Sequence, residues 1–205
     1  MNYIEIEGVK IKLTAKQVKK LKEELKICNA KRLSEIAVGD TFTLGDYEFI
    51  VLEQSGDTTA VILKELLKNG EKFSESDNKY YGSNVDNICN EFAMEMKEIV
   101  GKENLVEHTV DLTADDGLKC YGSIKRLMSL LTAEQYRKYV DILDKHKIDK
   151  WWWLATAHST NKHDNSSWVK CVSPDGNLDY YSYYDSVGVR PFLKFVSSIF
   201  VSYEE

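Results

Sequence analysis

A polar loop in the last quarter of the chain carries side chains suited to chemistry. His158, Asn161, His163 and Asp164 occupy this loop, between two segments with the composition of strands. Imidazoles and carboxylates are ligands for zinc and other transition metals, and His108 is a candidate further ligand. Histidines in a polar loop without cysteine or glutamate partners are more often solvated, whereas loops on a rigid sheet commonly carry binding. We therefore predict a recognition loop without a metal, and retain an enzyme or metal site near His158 and His163 as the alternative.

A tyrosine-rich segment follows this loop and forms the second part of the candidate site. Tyr180, Tyr181, Tyr183, Tyr184 and Asp185 stand close together in the sequence. In a continuous strand, Tyr180 and Tyr184 would share one face, and Tyr181 and Tyr183 the other. Tyrosine gives a large contact area at low entropic cost, as it does in antibody paratopes. The segment predicts a protein-binding surface; the alternative is that the fold covers both of its faces.

Familiar catalytic signatures are absent from the sequence. It contains no GxSxG, HExxH, P-loop or GxGxxG pattern, and these are the marks of common hydrolase, protease and nucleotide sites. The Glu-Pro-Asn and Trp-Asn-Asp triplets of calcium-dependent lectins are also missing, and we interpret residues 174–177 as a tight turn. We therefore expect a non-enzymatic protein without a cofactor.

The cysteines predict buried structural thiols. None has CxxC or CxH spacing, so neither a disulfide framework nor a zinc site is indicated. Cys171 lies between Val169 and Val172 in a predicted strand, where a small apolar side chain fits the core. The four cysteines are Cys28, Cys89, Cys120 and Cys171.

Length and charge narrow the class of protein. The chain has 205 residues and a formal net charge of −6. Phosphate binding needs a clustered basic face, so we expect no direct contact with nucleic acid. Neither a secretory leader nor an apolar run long enough for a bilayer is visible in the sequence. We expect a soluble, cytoplasmic protein with a protein partner and no contact with a membrane.

Residues 1–30 predict a small extension, a β-hairpin plus a helix. Alternating residues at 3–7 and 9–13 predict the hairpin. Thr14 and Gln17 have the spacing of a capping box, which predicts the start of the helix. An apolar stripe on this helix must be covered, either by docking on the main domain or by a homodimer. The stripe consists of Val18, Leu21 and Leu25.

Residues 31–205 predict one α+β domain, a mostly antiparallel sheet with two or more packed helices around an aromatic core. Alternating apolar segments separated by turn residues predict one strand meander at 36–66 and another from Trp151 to the end. Ser83 and Thr132 are predicted N-caps of two amphipathic helices. The Trp151–Trp153 run is more often core than ligand platform.

Three further predictions concern the middle and the end of the chain. The polar segment from Lys68 to Gly82 is predicted to be a loop. Residues 124–131 suggest a short amphipathic piece. Arg190 is expected to pair with a carboxylate or a carbonyl inside the fold, because a buried guanidinium needs partners.

The order of these elements resembles the bacterial and phage modules grouped as domain of unknown function 6273. The resemblance covers residues 36–200, although the arginine and tryptophan of the family's first helix are missing and Ala155 replaces another family arginine. The closing pattern is similar to the end of C-type-lectin-like folds, including sulfatase-modifying-factor-like and phage receptor-binding domains. The motifs that carry it are Ser83–Ile88, Leu130–Tyr136, Trp152–Thr156, Trp168–Val172, Asp175–Gly176 and Gly188–Leu193.

This resemblance implies a C-type-lectin-like aromatic core and a phage, prophage or Gram-positive bacterial origin, hence the cytoplasm of a bacterial host. It is nearly silent on activity and fits a protein-binding module. A phage-encoded inhibitor of a host defence factor, such as a CRISPR nuclease, is the alternative, because an acidic surface can compete with nucleic acid for a basic groove. The acidic candidates are Asp111, Asp115 and Asp116, or Glu91, Glu95 and Glu98.

Overall fold

The computed structural model describes residues 3–6, 9–14, 16–17, 30–162 and 167–203. The helices of four residues or more within those ranges are α1 (Asn84–Val100) and α2 (Ala133–Leu143). The strands are β1 (Tyr3–Ile6), β2 (Val9–Lys12), β3 (Ala30–Arg32), β4 (Thr41–Leu44), β5 (Tyr47–Ser55), β6 (Thr58–Leu63), β7 (Lys68–Lys72), β8 (His108–Asp111), β9 (Ser123–Arg126), β10 (Met128–Ser129), β11 (Trp152–Ala157), β12 (Trp168–Val172), β13 (Leu178–Ser182), β14 (Ser186–Val189), β15 (Phe192–Val196) and β16 (Phe200–Ser202).

A seven-stranded antiparallel sheet forms the larger layer, in the order β10-β15-β6-β5-β4-β16-β3. Its centre is the predicted meander, β4 to β6, whose inward side chains include the fully buried Phe49 and Val61. The last strands of the chain complete it, because β15 pairs with β6 and β16 lies between β4 and β3. Early and late parts of the sequence therefore share one sheet.

A five-stranded sheet, in the order β13-β12-β11-β14-β7, carries the candidate site. Its pairings are antiparallel except for β11 and β14, where Trp152 is opposite Gly188. Gly188 N–H donates to the Trp151 carbonyl oxygen at 2.9 Å. A Cβ atom on Gly188 would lie 2.8 Å from that oxygen, so the close approach of the strands requires glycine here.

Both helices start at the predicted caps. Asp86 N–H donates to Ser83 Oγ at 3.2 Å, and Gly101 follows the last residue of α1 with φ of 85°. Thr132 and Gln135 form the predicted capping box of α2, with reciprocal hydrogen bonds of 2.9 and 3.2 Å. Side-chain oxygens here satisfy amides that have no partner inside the helix, which fixes where each helix begins.

The tryptophan run joins two buried clusters on opposite faces of the five-stranded sheet. Trp153 is fully buried in the larger cluster, with its ring 5.6 Å from that of Phe73. Trp152 points to the other side, where the Tyr136 ring of α2 meets it at 5.8 Å. The predictions of an α+β fold, an aromatic core and core tryptophans are confirmed.

Three segments differ from their predictions. Lys68–Lys72 is the edge strand β7 rather than part of a loop, because its backbone pairs with β14 despite its polar side chains. The amphipathic piece at 124–131 contains strands β9 and β10. Ala30–Arg32, at the boundary predicted between the extension and the domain, is strand β3 and pairs with β16. In each case a partner distant in sequence decides the conformation.

At the N-terminus, β1 and β2 form the predicted antiparallel hairpin, and Gln17 N–H donates to Thr14 Oγ1. The predicted apolar stripe of Val18, Leu21 and Leu25 lies outside the described residues, so homodimer formation through it stays a prediction.

Candidate functional site

A stacked pair of rings joins the recognition loop to the tyrosine-rich segment. His158 follows the last residue of β11, and Tyr180 lies on β13, two strands away in the same sheet. Their ring centroids are 4.5 Å apart with an interplanar angle of 25°. Trp168, at the start of β12, meets the Tyr180 ring edge-on at 5.3 Å. The fold thus brings two predicted site residues into one cluster, in which Tyr180 is 43% exposed.

The other tyrosines divide into supporting and exposed rings. Tyr181 is half-buried and packs edge-on against Trp151 at 4.9 Å. Strand β13 ends at Ser182, so Tyr183 and Tyr184 lie in a turn rather than on alternate strand faces as predicted, and their rings contact each other at 4.3 Å. Tyr184 is 54% exposed. We define the aromatic patch as His158, Trp168, Tyr180 and Tyr184.

One buried amide holds both ends of the recognition loop. The fully buried Asn78 donates through Nδ2 to the carbonyl oxygens of Ser159, at 2.8 Å, and Trp168, at 3.0 Å. His158 N–H donates to the same Trp168 oxygen at 2.9 Å. Asn78 could not be identified from the sequence, because a single asparagine inside a polar segment has no distinguishing pattern.

Tyr121 connects this anchor to the outer part of the loop. Its hydroxyl oxygen lies 2.8 Å from Asn78 Oδ1 and 2.8 Å from Asn161 Oδ1, so the two amides share its single hydrogen. The predicted site residue Asn161 is exposed. His163 and Asp164 lie outside the described residues, and their part in the site stays a prediction.

Strand β13 is the last strand of the five-stranded sheet, so one of its edges has no neighbouring strand among the described residues. Tyr183 N–H donates to the Ser167 carbonyl, and Ser173 N–H to the Asn177 carbonyl. Since hydrogen-bonded positions alternate along an antiparallel pair, the main-chain groups of Tyr180 and Ser182 point away from β12.

Two aspartate carboxylates accept hydrogen bonds from the backbone amides on this open edge. Tyr180 N–H donates to Asp179 Oδ1 at 2.8 Å, and Ser182 N–H to Asp185 Oδ2 at 3.0 Å. Asp185 N–H in turn donates to the Ser182 carbonyl. Charged residues that occupy an edge prevent another strand from pairing with it. A partner therefore meets side chains at this edge rather than an open backbone ladder.

A cluster of charged side chains lies next to Tyr180 of the aromatic patch. Lys170 is buried, with its Nζ 3.4 Å from Asp115 Oδ2 and 5.7 Å from the Tyr180 ring centroid. Arg137 donates to the other Asp115 oxygen at 2.7 Å. Burial alone would raise the pKa of Asp115, but the Arg137 and Lys170 charges outweigh it and lower that pKa. Asp115, from the first predicted acidic set, is thus paired with two basic side chains, and Glu95, from the second set, accepts a hydrogen bond from the Tyr47 hydroxyl at 2.6 Å.

His108 and Cys171 belong to the core. The His108 ring packs edge-on against Phe192 at 5.1 Å, and its Nε2 lies 2.9 Å from Ser129 Oγ. Burial lowers the pKa of His108 to about 4. Burial also raises the pKa of the Cys171 thiol to about 12, so this thiol stays protonated and unreactive. Within the described ranges, no group of three His, Cys, Asp or Glu side chains is arranged to hold a metal ion.

Arg190 has the internal role predicted for it. Its guanidinium is 1% exposed and donates to the carbonyl oxygens of Leu63 and Lys64, both at 2.8 Å. The Trp152 ring centroid lies 5.2 Å from its Cζ. Carbonyl oxygens therefore satisfy this buried charge and tie β6 to the tryptophan run.

A groove of about 600 Å³ between α1 and the β8–β9 hairpin is a second surface that sequence analysis missed. Arg126 lines it and binds the fully buried Asp86 with two hydrogen bonds of 2.8 and 2.7 Å. Lys125 and Glu107, also in the lining, lie 3.5 Å apart. These three charged side chains therefore have partners on the protein itself.

Comparisons of the chain with protein-family models, curated proteins and solved structures find no match. The resemblance to domain of unknown function 6273 therefore stays a prediction. Among the described residues, no helix combines the length and the apolar character needed to cross a bilayer.

Proposed function

We propose that this chain is a non-enzymatic protein-binding module that holds its partner through the aromatic patch. The observation that carries the proposal is the stacked pair of His158 and Tyr180 rings. The buried amide of Asn78 anchors the loop that begins at His158, and the Tyr180 ring is partly exposed to solvent. Aromatic side chains on a fixed scaffold give contact area at low entropic cost, which is the usual chemistry of protein-binding hot spots. The capped β13 edge supports recognition through side chains.

The finer assignments belong to the same proposal. A C-type-lectin-like domain of phage or mobile-element origin, acting in the cytoplasm of a bacterial host, fits the aromatic core and the closing motif around Gly188–Leu193. The extension at 1–30 and the domain at 31–205 are its proposed units. Inhibition of a host defence factor is a special case of this function, and the identity of the partner decides it.

Affinity capture from a bacterial lysate tests the proposal. The bait is the full chain, compared with a variant carrying Tyr180→Ala and Tyr184→Ala. We choose these two tyrosines because both are exposed, whereas Tyr181 supports Trp151 and its loss would disturb packing. We expect one protein to be enriched by the parent and at least tenfold less by the variant, since hot-spot aromatics carry most of the binding energy. Mass spectrometry measures this ratio.

Tyr81→Ala is the matched control. Tyr81 is 65% exposed but lies over Arg126, away from the patch. Equal capture by this control and the parent confirms that the effect belongs to the aromatic patch. Capture that survives Tyr180→Ala with Tyr184→Ala, in a folded variant, contradicts the proposal. A nuclease as the captured protein favours the inhibitor.

A further inference from the structure

Two buried polar atoms without partners lie beside the exposed tyrosines. His158 Nδ1 and Ser182 Oγ have no hydrogen-bond partner, and among the described side chains they account for two of three such atoms. Ser182 is only 8% exposed and stands opposite Trp168 in the strand pairing. Ser182 also lies two residues beyond Tyr180, so both side chains are on the same face of β13. An unsatisfied buried polar group costs free energy, which makes this cluster a place where a ligand group can be accommodated.

The unpartnered atoms favour a hydrogen-bond donor as the ligand group. Neutral histidine accepts a hydrogen bond at one ring nitrogen, and a serine hydroxyl oxygen accepts as well. Arginine has five N–H donors and no acceptor in a planar group that stacks on aromatic rings. Lys170, the nearest cation, shares the single carboxylate of Asp115 with Arg137, so the nearby carboxylates of Asp179 and Asp185 are needed to make this side of the sheet favourable to a cation.

The charges around the patch favour a cationic ligand as well. Asp179 and Asp185 are exposed at the edge of β13, and neither has an ion-pair partner among the described residues. Both carboxylates act on the nearby Cys171, whose pKa is raised by burial first and by these two charges in addition. Tyr180 on β13 and Tyr184 in the turn that follows it offer partly exposed rings, and such rings attract cations.

We propose that the aromatic patch binds an arginine side chain in an extended segment of the partner protein. The guanidinium packs on the exposed part of Tyr180 and donates to Ser182 Oγ and His158 Nδ1, while further basic residues of the segment meet Tyr184, Asp179 and Asp185. The segment does not add a strand, since the outward amides of β13 are already capped. Because both acceptor atoms are inaccessible to solvent in the free protein, the Tyr180 ring turns away from His158 on binding and stacks on the guanidinium instead, while strand β13 stays in place. This inference rests on the proposed function and names the chemistry of its partner.

An NMR titration of the full-length protein tests this inference. The probe is an acetylated, amidated peptide of glycine, serine and three arginines, and the matched peptide carries citrulline, which keeps the shape of arginine without its charge. We expect saturable shifts at Tyr180, Ser182 and the Trp168 indole, with at least tenfold weaker binding of the citrulline peptide. Equal affinity of the two peptides, or no saturation at millimolar concentration, overturns the inference.

Matched variants separate this site from general attraction to an acidic protein. Ser182→Ala and Tyr180→Ala should each weaken arginine-peptide binding about three- to tenfold. Ser186→Ala and Tyr81→Ala, on exposed residues away from the two acceptors, should leave it unchanged. Ser182→Ala keeps the fold, since it removes a hydroxyl that has no partner. Shifts confined to Glu91, Glu95 and Glu98, or unchanged binding to Ser182→Ala, refute the site.

The two proposals fail in distinguishable ways. If the tyrosine variants lose a captured partner while the arginine peptide does not bind, the protein-binding function stands and the arginine chemistry is rejected. If the arginine peptide binds at the patch while those variants capture the same proteins as the parent, the arginine site stands and the proposed function is rejected. If both experiments fail, both proposals are wrong.

Discussion

Asn78 is a single side chain on which the geometry of the recognition loop depends. Replacing it with alanine leaves the Ser159 carbonyl without this donor, removes one of two donors to the Trp168 carbonyl, and takes an acceptor from Tyr121. We predict that Asn78→Ala lowers the free energy of unfolding by about 2–3 kcal/mol, since each lost buried hydrogen bond costs about 1 kcal/mol or more. Urea denaturation measures this change.

Asn87→Ala is the control for that prediction. Asn87 is exposed on α1, where alanine is the better helix former, so its replacement should change stability by less than about 0.5 kcal/mol. Amide exchange adds a local test, because His158 N–H should exchange faster in Asn78→Ala than in the parent. Equal stability of the two variants contradicts the anchoring role.

At the residue scale, the sequence predicts which side chains are buried better than it predicts which side chains contact each other. Trp152, Trp153, Cys171 and Arg190 are buried as expected, because large apolar rings and an internal guanidinium leave few alternatives. The His158–Tyr180 stack was not predicted as a contact. It depends on the register between β12 and β13, which pairs Lys170 with Tyr180, and no local pattern specifies that register.

The capped edge of β13 is a property of an element rather than of one residue. We predict that a variant with Asp179→Ala and Asp185→Ala self-associates, because the amides of Tyr180 and Ser182 become open to another strand. Sedimentation velocity should show a concentration-dependent shift to dimers or larger species. Within a single chain, stability should fall only slightly, since both aspartates are exposed.

The control must match the loss of two negative charges. Asp149→Ala with Asp175→Ala removes the same charge from exposed positions outside β13, and this variant should sediment as the parent does. If both double variants associate equally, reduced charge repulsion rather than strand pairing explains the effect, and the capping account is wrong.

Elements with local start and stop residues were predictable from the sequence, and edge elements were not. Helices α1 and α2 begin at Ser83 and Thr132 because their hydroxyls cap the first turns. Strand β7 is different, since Lys68–Lys72 has no apolar alternation, and only its pairing with β14 makes it a strand. Strands β9 and β10 have a periodicity that suits a helix equally well.

At the scale of the whole molecule, the free energy of unfolding should depend on pH because the imidazole of His108 is buried. Its pKa is near 4 in the folded protein and near 6.5 once exposed, so the unfolded chain takes up a proton that the folded chain resists. Above about pH 6.5, His108 does not reduce the free energy of unfolding. As the pH falls from 6.5 towards 4, protonation of His108 in the unfolded chain lowers that free energy by up to about 3 kcal/mol. Below pH 4 both states carry the proton and the loss ends.

His108→Leu removes this contribution. At pH 7.5 the variant should be less stable than the parent, because the hydrogen bond to Ser129 is gone. We expect the difference in unfolding free energy to narrow or reverse by about 2–3 kcal/mol at pH 4.5, as measured by chemical denaturation at both pH values. Carboxylates titrate in both proteins, so parallel stability curves would show that His108 does not titrate as described.

The pairing of β3 with β16 has a consequence for synthesis of the protein. Ala30 lies opposite Ser202, and Thr58 of β6 lies opposite Val196 of β15, so both pairings join residues that lie far apart in the sequence. At typical elongation rates, translation of these 205 residues takes roughly 10 to 40 s. During that time the nascent chain holds the β4–β6 meander without the strands that flank it. The larger sheet is thus completed only after strands β15 and β16 have emerged from the ribosome.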